Sequence, residues 1–264
     1  MRAALARKLH TFFARLFGIQ RENPVLPRLS DIRDRSYFVS KRIFDVGACL
    51  FLIPVLLGIC LVIMVLNPVW NRGPLFYVQR RAGKDGQEFP MVKFRSMSSE
   101  GHGMRRADDP LDTARITPLG RWLRDYKIDE LPQIFNVLLG HMSLVGPRPE
   151  ASTFVPIYRD SIPGYGLRET VRPGMTGYAQ VMQGYTDSIE MVRRKTELDL
   201  FYIRNSGWRL DLFVILSTVG VVLSPRRASG AGETPAQQEP VPVKDAGNDG
   251  TDHHHIGRSC RVVQ

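Results

Sequence analysis

Asp129-Glu130-Leu131-Pro132-Gln133 sets two adjacent carboxylates ahead of a short apolar stretch, and Val145-Gly146-Pro147-Arg148-Pro149-Glu150 follows with an arginine braced by two prolines. Read as the opening of a helix, with Pro132 in its first turn, the dyad stands where unpaired N–H groups and a positive partial charge favour carboxylates and phosphates. Asp and Glu are also common at helix starts as simple caps, so the pair alone carries little. Its neighbours change the reading: Arg115, Arg121, Arg124 and Lys127 precede it and Arg148 follows. Two acids among that many cations suit an anionic substrate together with a metal ion, and Mg²⁺ fits best because it takes few carboxylates and keeps water and phosphate as its other ligands.

Lys93, Arg95, Arg124, Arg148 and Arg172 are the candidate grips for phosphate or nucleotide, the last two in turns stiffened by Pro147, Pro149 and Pro173. Each could equally tie loops together or stand solvated. A second acidic group, Asp108, Asp109 and Asp112, lies among Arg105, Arg106 and Pro110 and reads as a solvated loop.

Several elements must position these groups. Leu75 to Arg80 and Glu88 to Phe94 are β-prone segments joined by Gly83-Lys84-Asp85-Gly86, whose glycines permit positive φ, a β-hairpin pattern. Arg121 to Leu139 is helical in pattern, interrupted by the dyad, and Ser188 to Tyr202 is a charged helix with apolar residues at Ile189, Val192, Leu198 and Phe201. Leu210 to Leu223, 14 residues and largely apolar, is too short to span a bilayer comfortably. It reads as a buried or interfacial helix.

Val46 to Leu66 runs 21 residues without a charge, about 30 Å as a straight helix and long enough to cross a bilayer core. Two details oppose a simple crossing. Pro54 lies in its interior, where a missing N–H and a ring clash bend or break a helix. Lys41 and Arg42 precede the run while Arg72, Arg80, Arg81 and Lys84 follow it, which places both ends on the cytoplasmic side. A re-entrant helical hairpin broken at Pro54 satisfies both.

The 264 residues, 43% hydrophobic, suffice for one sizeable domain with extensions. The first 21 residues hold Arg2, Arg7, Lys8, Arg15 and Arg21 and no acid, interleaved with apolar side chains as in a basic amphipathic helix that lies on a membrane; a transit peptide looks similar. From Pro225 onward, five basic side chains balance five acidic ones in a Pro- and Gly-rich, disorder-prone tail, so the net charge of +10 belongs to the residues before it. A basic body attracts phosphates, membranes or nucleic acid. No nucleic-acid-binding signature accompanies the positive stretches, so an anionic membrane is the expected partner and nucleic acid is not. Cys49, Cys60 and Cys260 offer neither a disulfide framework nor metal-site spacing.

Five motifs in order carry a family resemblance: Lys41-Arg42-Ile43-Phe44-Asp45, Lys93-Phe94-Arg95-Ser96-Met97, Asp129-Glu130-Leu131-Pro132-Gln133-Ile134-Phe135-Asn136-Val137, Met142-Ser143-Leu144-Val145-Gly146-Pro147-Arg148-Pro149 and Arg172-Pro173-Gly174-Met175-Thr176-Gly177. From Ser40 to Leu223 the chain resembles the bacterial sugar transferases, the monotopic phosphoglycosyl transferases that load a sugar phosphate onto a polyprenyl phosphate. The resemblance implies an α+β, helix-rich fold with a re-entrant membrane hairpin, interfacial amphipathic helices and a small β-hairpin around the active site, on the cytoplasmic face of a bacterial inner membrane. The domain limits are then 1–39 for the N-terminal extension, 40–224 for the transferase domain with its membrane helix at 46–66, and 225–264 for the tail.

It further implies that Asp129 attacks the sugar-linked phosphorus of a UDP-sugar, forming an aspartyl sugar-phosphate, with Glu130 organising the metal or assisting proton transfer. The product is a polyprenyl diphosphate sugar for exopolysaccharide, O-antigen or other glycoconjugate synthesis. Two departures stand out: Ile53 occupies a position beside Pro54 where the family pattern has a serine, and Lys127 stands where a serine is more usual. A non-catalytic basic membrane adaptor and an anchored nucleic-acid binder are the competing classes. Neither has a need for the Asp129-Glu130 dyad.

Overall fold

The computed structural model describes residues 35–98, 113–183 and 189–223. The basic N-terminal segment, Asp108, Asp109 and Asp112, and the tail from Pro225 lie outside them. The described chain is helix-rich, with two small two-stranded sheets.

Helix α1, Arg35–Trp70, is 36 residues long, about 54 Å, and runs without interruption through Pro54 and Pro68. The break expected at Pro54 is therefore not present in the helical backbone. Pro54 lies on the exposed side, while Cys49, Leu56 and Ile63, spaced two turns apart on the opposite stripe, are buried against the body. That packing holds the helix straight where the proline removes one hydrogen bond. Outside the stripe the helix shows Leu50, Phe51, Val55, Leu61 and Val65 to the surroundings, Phe51 at 81% exposure.

Both ends of α1 are tied to the same body. Near its start, Lys41 pairs with Asp211, Arg42 donates to the carbonyls of Val137 and Leu138, and Asp45 accepts from Ser143 Oγ (2.7 Å) and the Leu144 N–H (3.3 Å). Near its end, Asn67 donates to the Gly73 carbonyl and Asn71 to the Arg95 carbonyl, each at 2.8 Å.

Strands β1, Phe76–Ala82, and β2, Glu88–Phe94, form the expected antiparallel hairpin, with Phe76 opposite Phe94 and Ala82 opposite Glu88. The turn uses positive φ at Asp85 (56°) and Gly86 (74°), while Gly83 is extended. On β2, alternation puts Phe89, Met91 and Lys93 on one face; the first two fill the core and the third reaches the dyad. The Asn136 side chain covers the outer edge of β2, accepting from the Val92 N–H and donating to the Pro90 carbonyl.

Helix α2, Pro118–Asp125, starts at an N-cap, Thr117, whose hydroxyl accepts from the Gly120 N–H, with Pro118 at the first position. It ends where Lys127 turns left-handed at φ 58°. The dyad then lies in a 3-10 turn, Ile128–Glu130, one turn ahead of α3, Gln133–Leu138. Pro132 is thus the residue before α3, and the dyad precedes the helix instead of opening it.

Strands β3, Ser143–Val145, and β4, Gly174–Thr176, pair in parallel and bring the Pro147-Arg148-Pro149 loop beside the Arg172-Pro173-Gly174 turn. Their contact is backbone on backbone, since a Cβ on Gly174 would fall 2.1 Å from the Gly146 nitrogen. Short helices α4, Val155–Ser161, and α5, Tyr178–Met182, precede α6, Ile189–Arg204, and α7, Trp208–Leu223. The last two match the predicted charged and apolar helices, and Phe213 and Val214 of α7 are fully buried in their core.

Candidate active site

The site forms where the Ile128–Glu130 turn, the end of β2 and the Pro-Arg-Pro loop meet. Left-handed Lys127 reverses the chain after α2 and turns Asp129 inward, to 8% exposure. Arg148 donates through both terminal nitrogens to the two oxygens of Glu130, the Nη1 to Oε2 contact being 3.0 Å. Lys93 adds a third donor at 3.4 Å. Bidentate pairing fixes direction as well as charge.

The two acids therefore differ sharply. Burial pushes Glu130 upward, but the Arg148 guanidinium and the Lys93 ammonium outweigh it and hold its carboxyl well below the usual carboxylate range. Asp129 has a buried Oδ1 with no hydrogen-bond partner. Burial, reinforced by the charge on Glu130, pushes it up to about 6, against the opposing pull of Lys93, Arg124 and Lys127. Burial and the nearby Arg148 charge lower Lys93 to about 8, although Glu130 pulls the other way. Gln133, fully buried one turn further on, has neither amide atom paired.

Of the residues singled out by sequence, Lys93, Asp129, Glu130 and Arg148 come together. Arg124 is half-buried and acts on Asp129 through its charge, without a hydrogen bond to it among the described contacts. Pro147 and Pro149 are buried spacers whose carbonyls accept from the Gly174 N–H (2.9 Å) and Arg81 (3.0 Å). Arg95 turns away: it is buried and donates to the Asn71 carbonyl at the end of α1. Arg172 donates to the Gly140 carbonyl at 2.9 Å. Arg95 thereby pairs a buried carbonyl, whereas the Arg172 contact lies at the surface.

Sequence reading missed the layer behind the loop. Arg168, Lys195, Asp199 and Glu150 are packed beneath Arg148, with Lys195 on Glu150 and Arg168 on Asp199. Lys195 and Asp199, four apart on α6, share one face, the signal from which a shared role could have been read. Asp211 was hidden in an apolar stretch.

For a divalent cation the donor set is small. Among the described residues no three His, Cys, Asp or Glu side chains cluster, and both oxygens of Glu130 are already engaged. The free oxygen is Asp129 Oδ1, a hard donor that fits Mg²⁺ held chiefly by substrate phosphate and water.

This fold and site define a family. The model of the bacterial sugar transferases matches residues 36–225, and the chain belongs to that family. It is 42% identical over 190 residues to an Aeromonas hydrophila UDP-N-acetylgalactosamine-undecaprenyl-phosphate N-acetylgalactosaminephosphotransferase, covering 71% of this chain and 44% of the relative. It is 40% identical over 207 residues to a Caulobacter vibrioides UDP-glucose:undecaprenyl-phosphate glucose-1-phosphate transferase, covering 77% and 74%. With an exopolysaccharide production protein of Rhizobium leguminosarum it shares 39% identity over 195 residues, 69% and 94% of the two chains. The chain spans less than half the length of the Aeromonas relative and of a similar Klebsiella pneumoniae transferase.

Proposed function

We propose that this protein transfers a sugar 1-phosphate from a UDP-sugar to undecaprenyl phosphate or a similar polyprenyl phosphate, giving a polyprenyl diphosphate sugar and UMP. The observation that carries this reading is Asp129: a buried carboxylate oxygen without a partner, beside a carboxylate clamped by two cations. Asp199 also keeps one buried oxygen unpaired, but its other oxygen is held by Arg168; Asp129 stands instead beside the clamped carboxylate, with Lys93, Arg124 and Lys127 acting on it through their charge.

Asp129 attacks the sugar-linked phosphorus, the bond to the UMP oxygen breaks, and a sugar-phosphate remains on the aspartyl oxygen. An oxygen of polyprenyl phosphate then attacks the same phosphorus and returns Asp129 as carboxylate. Glu130 keeps Arg148 and Lys93 in place beside the reacting phosphate, where their charge balances what builds on the leaving group. Arg124 and Lys127 add positive potential at Asp129. Mg²⁺ held by Asp129, with Glu130 as the neighbouring carboxylate, would supply further charge neutralisation on the pyrophosphate.

We place the protein at the cytoplasmic face of the inner membrane, with α1 as its lipid contact. Its 35 residues from Ser36 to Trp70 are long and apolar enough to cross a membrane, but attachment of both ends to one body favours a monotopic seat. The relatives' names specify different sugars, so the test uses a panel. Purified full-length protein with undecaprenyl phosphate, Mg²⁺ and individual UDP-sugars should release UMP with at least one sugar. No release across the panel, from protein that binds membranes, would return the adaptor reading.

A further inference from the structure

We propose that Arg168, seated by Asp199, is a positioning residue that sets the Arg148 guanidinium against Glu130. This rests on the reaction proposed above. The Pro-Arg-Pro loop cannot form regular structure, yet its successive carbonyls are all held. Pro147 and Glu150 accept from backbone N–H groups of Gly174 and Ala82, at 2.9 and 3.0 Å. Pro149 accepts from Arg81 at 3.0 Å. The carbonyl of Arg148 itself accepts from Arg168 Nη2 at 3.0 Å.

Arg168 is built for that point. It is 5% exposed, its Nε donates to Asp199 Oδ2 at 2.7 Å, and its guanidinium carbon lies 5.0 Å from the centre of the Tyr165 ring. Asp199 and Lys195 stand on one face of α6, and Lys195 holds Glu150, two residues beyond Arg148. One helix face thus fixes the main chain at Arg148 and the side chain at Glu150.

Net stability does not explain this arrangement well, because an apolar pair of similar volume is often as stable as a buried ion pair or more so. A directed donor at the Arg148 carbonyl is what an apolar pair could not provide. With the carbonyl and both flanking prolines held, Arg148 reaches both oxygens of Glu130.

The test is a double-mutant cycle on kcat for UMP release, with KM measured for each variant. Arg168→Lys keeps the charge but loses the fork that joins Asp199 to the Arg148 carbonyl. It should lower kcat about 100-fold, the scale of a misplacement near 1 Å, with KM changed less than about threefold. Arg148→Lys/Arg168→Lys should be no slower than Arg148→Lys alone, within about twofold. Multiplying losses, or an Arg168→Lys enzyme near wild type, would overturn the proposal.

If Arg168→Lys does not fold, Asp199→Asn runs the same cycle, since the amide oxygen still accepts from Arg168 Nε without its charge. Hydrogen exchange supplies a readout independent of turnover. Amides of the 145–150 segment should exchange faster in either variant while those of α3 stay unchanged, and equal exchange in both segments would reject a positioning role. A wild-type protein that releases no UMP counts against the proposed reaction alone; the exchange result then still decides the loop contact.

Discussion

Asp211 and Asp129 are both buried acids beside cations, and the protein treats them in opposite ways. At the root of α1, Asp211 accepts from Tyr37 (2.8 Å) and Lys41 (2.6 Å) on one oxygen and from Tyr202 (2.7 Å) on the other. At the Ile128–Glu130 turn, Asp129 Oδ1 accepts nothing. Asp211 fills both of its oxygens for anchoring, whereas Asp129 leaves its buried Oδ1 open. Unsatisfied buried groups destabilise, and Asp129 and Gln133, four apart, both carry them, so this stretch gives up stability that the anchor keeps. The anchor holds the long apolar helix α1, and the open acid is the one to which the proposed reaction assigns the attack.

Asp129→Asn should separate the two most strongly. Turnover should fall by more than about 1,000-fold, since an amide is a poor nucleophile, while the metal-free protein should become more stable at neutral pH. The sign follows from the raised value. Asp129 titrates near 6 in the folded chain against about 3.8 unfolded, so its ionised form destabilises the fold above pH 6. That penalty fades as pH falls through 6 and is gone below the unfolded value. The Asn variant should gain on the order of 1–3 kcal/mol above pH 7 and nothing near pH 3.5, measured by denaturant unfolding at both pH values. Undiminished UMP release would remove Asp129 from the nucleophile role.

The opposite outcome is expected at the anchor. Asp211→Asn leaves the buried Lys41 ammonium without its counter-charge, which should destabilise by about 3 kcal/mol. In a chain of this size the unfolding midpoint should drop by about 5–10 °C. Activity of the protein that remains folded should change little. A stable Asp211→Asn variant would mean that the root of α1 is solvated in the working protein.

The two regions were unequally legible in the sequence. The hairpin was readable because β-prone runs flank a glycine-marked turn, and the dyad because acids and cations crowd within one stretch. Arg148 followed from the same crowding, and Lys93 from its place at the second hairpin strand. The anchor was hidden because Asp211 is a lone acid in an apolar run and its partners are 9, 170 and 174 residues away. Arg168 and Asp199 are 31 apart, and no local pattern couples positions at that distance. β3 and β4, three residues each, are too short to show alternation. Arg95 was read as a phosphate ligand from its place on or just after the second hairpin strand, where a two-residue spacing would give it the face of Lys93, yet β2 ends at Phe94 and past that end Arg95 closes the turn after α1.

A smaller effect sharpens the catalytic side. In the proposed reaction Asp129 must be ionised to attack and Lys93 protonated to hold charge beside the phosphate. With values of about 6 and about 8, kcat/KM should rise from acid to pH 6, stay level, and fall above pH 8. Lys93→Arg keeps its charge at any of these pH values. It should therefore flatten the basic limb while leaving the acidic one in place; a basic limb that persists would assign that titration to another group.

At Pro54 no change of topology is expected, and that constancy is informative. A proline that breaks a re-entrant hairpin controls topology, so replacing it should let the helix straighten and span. Here α1 is already continuous through Pro54, and its two ends are held by the same body through Asp45 with Ser143 and Asn71 with Arg95. A crossing would have to break one of those attachments, whatever residue stands at 54. Pro54→Leu restores one hydrogen bond on the exposed side and should stabilise the helix, by up to about 3 kcal/mol, without moving either end. Single cysteines at Ser36 and Arg72, in a protein whose own cysteines are replaced by serine, should both resist an impermeant thiol reagent applied outside intact cells, in wild type and in Pro54→Leu alike. Labelling of only one of the two in the variant would show that the proline, and not the attachment of both ends, keeps the helix on one face.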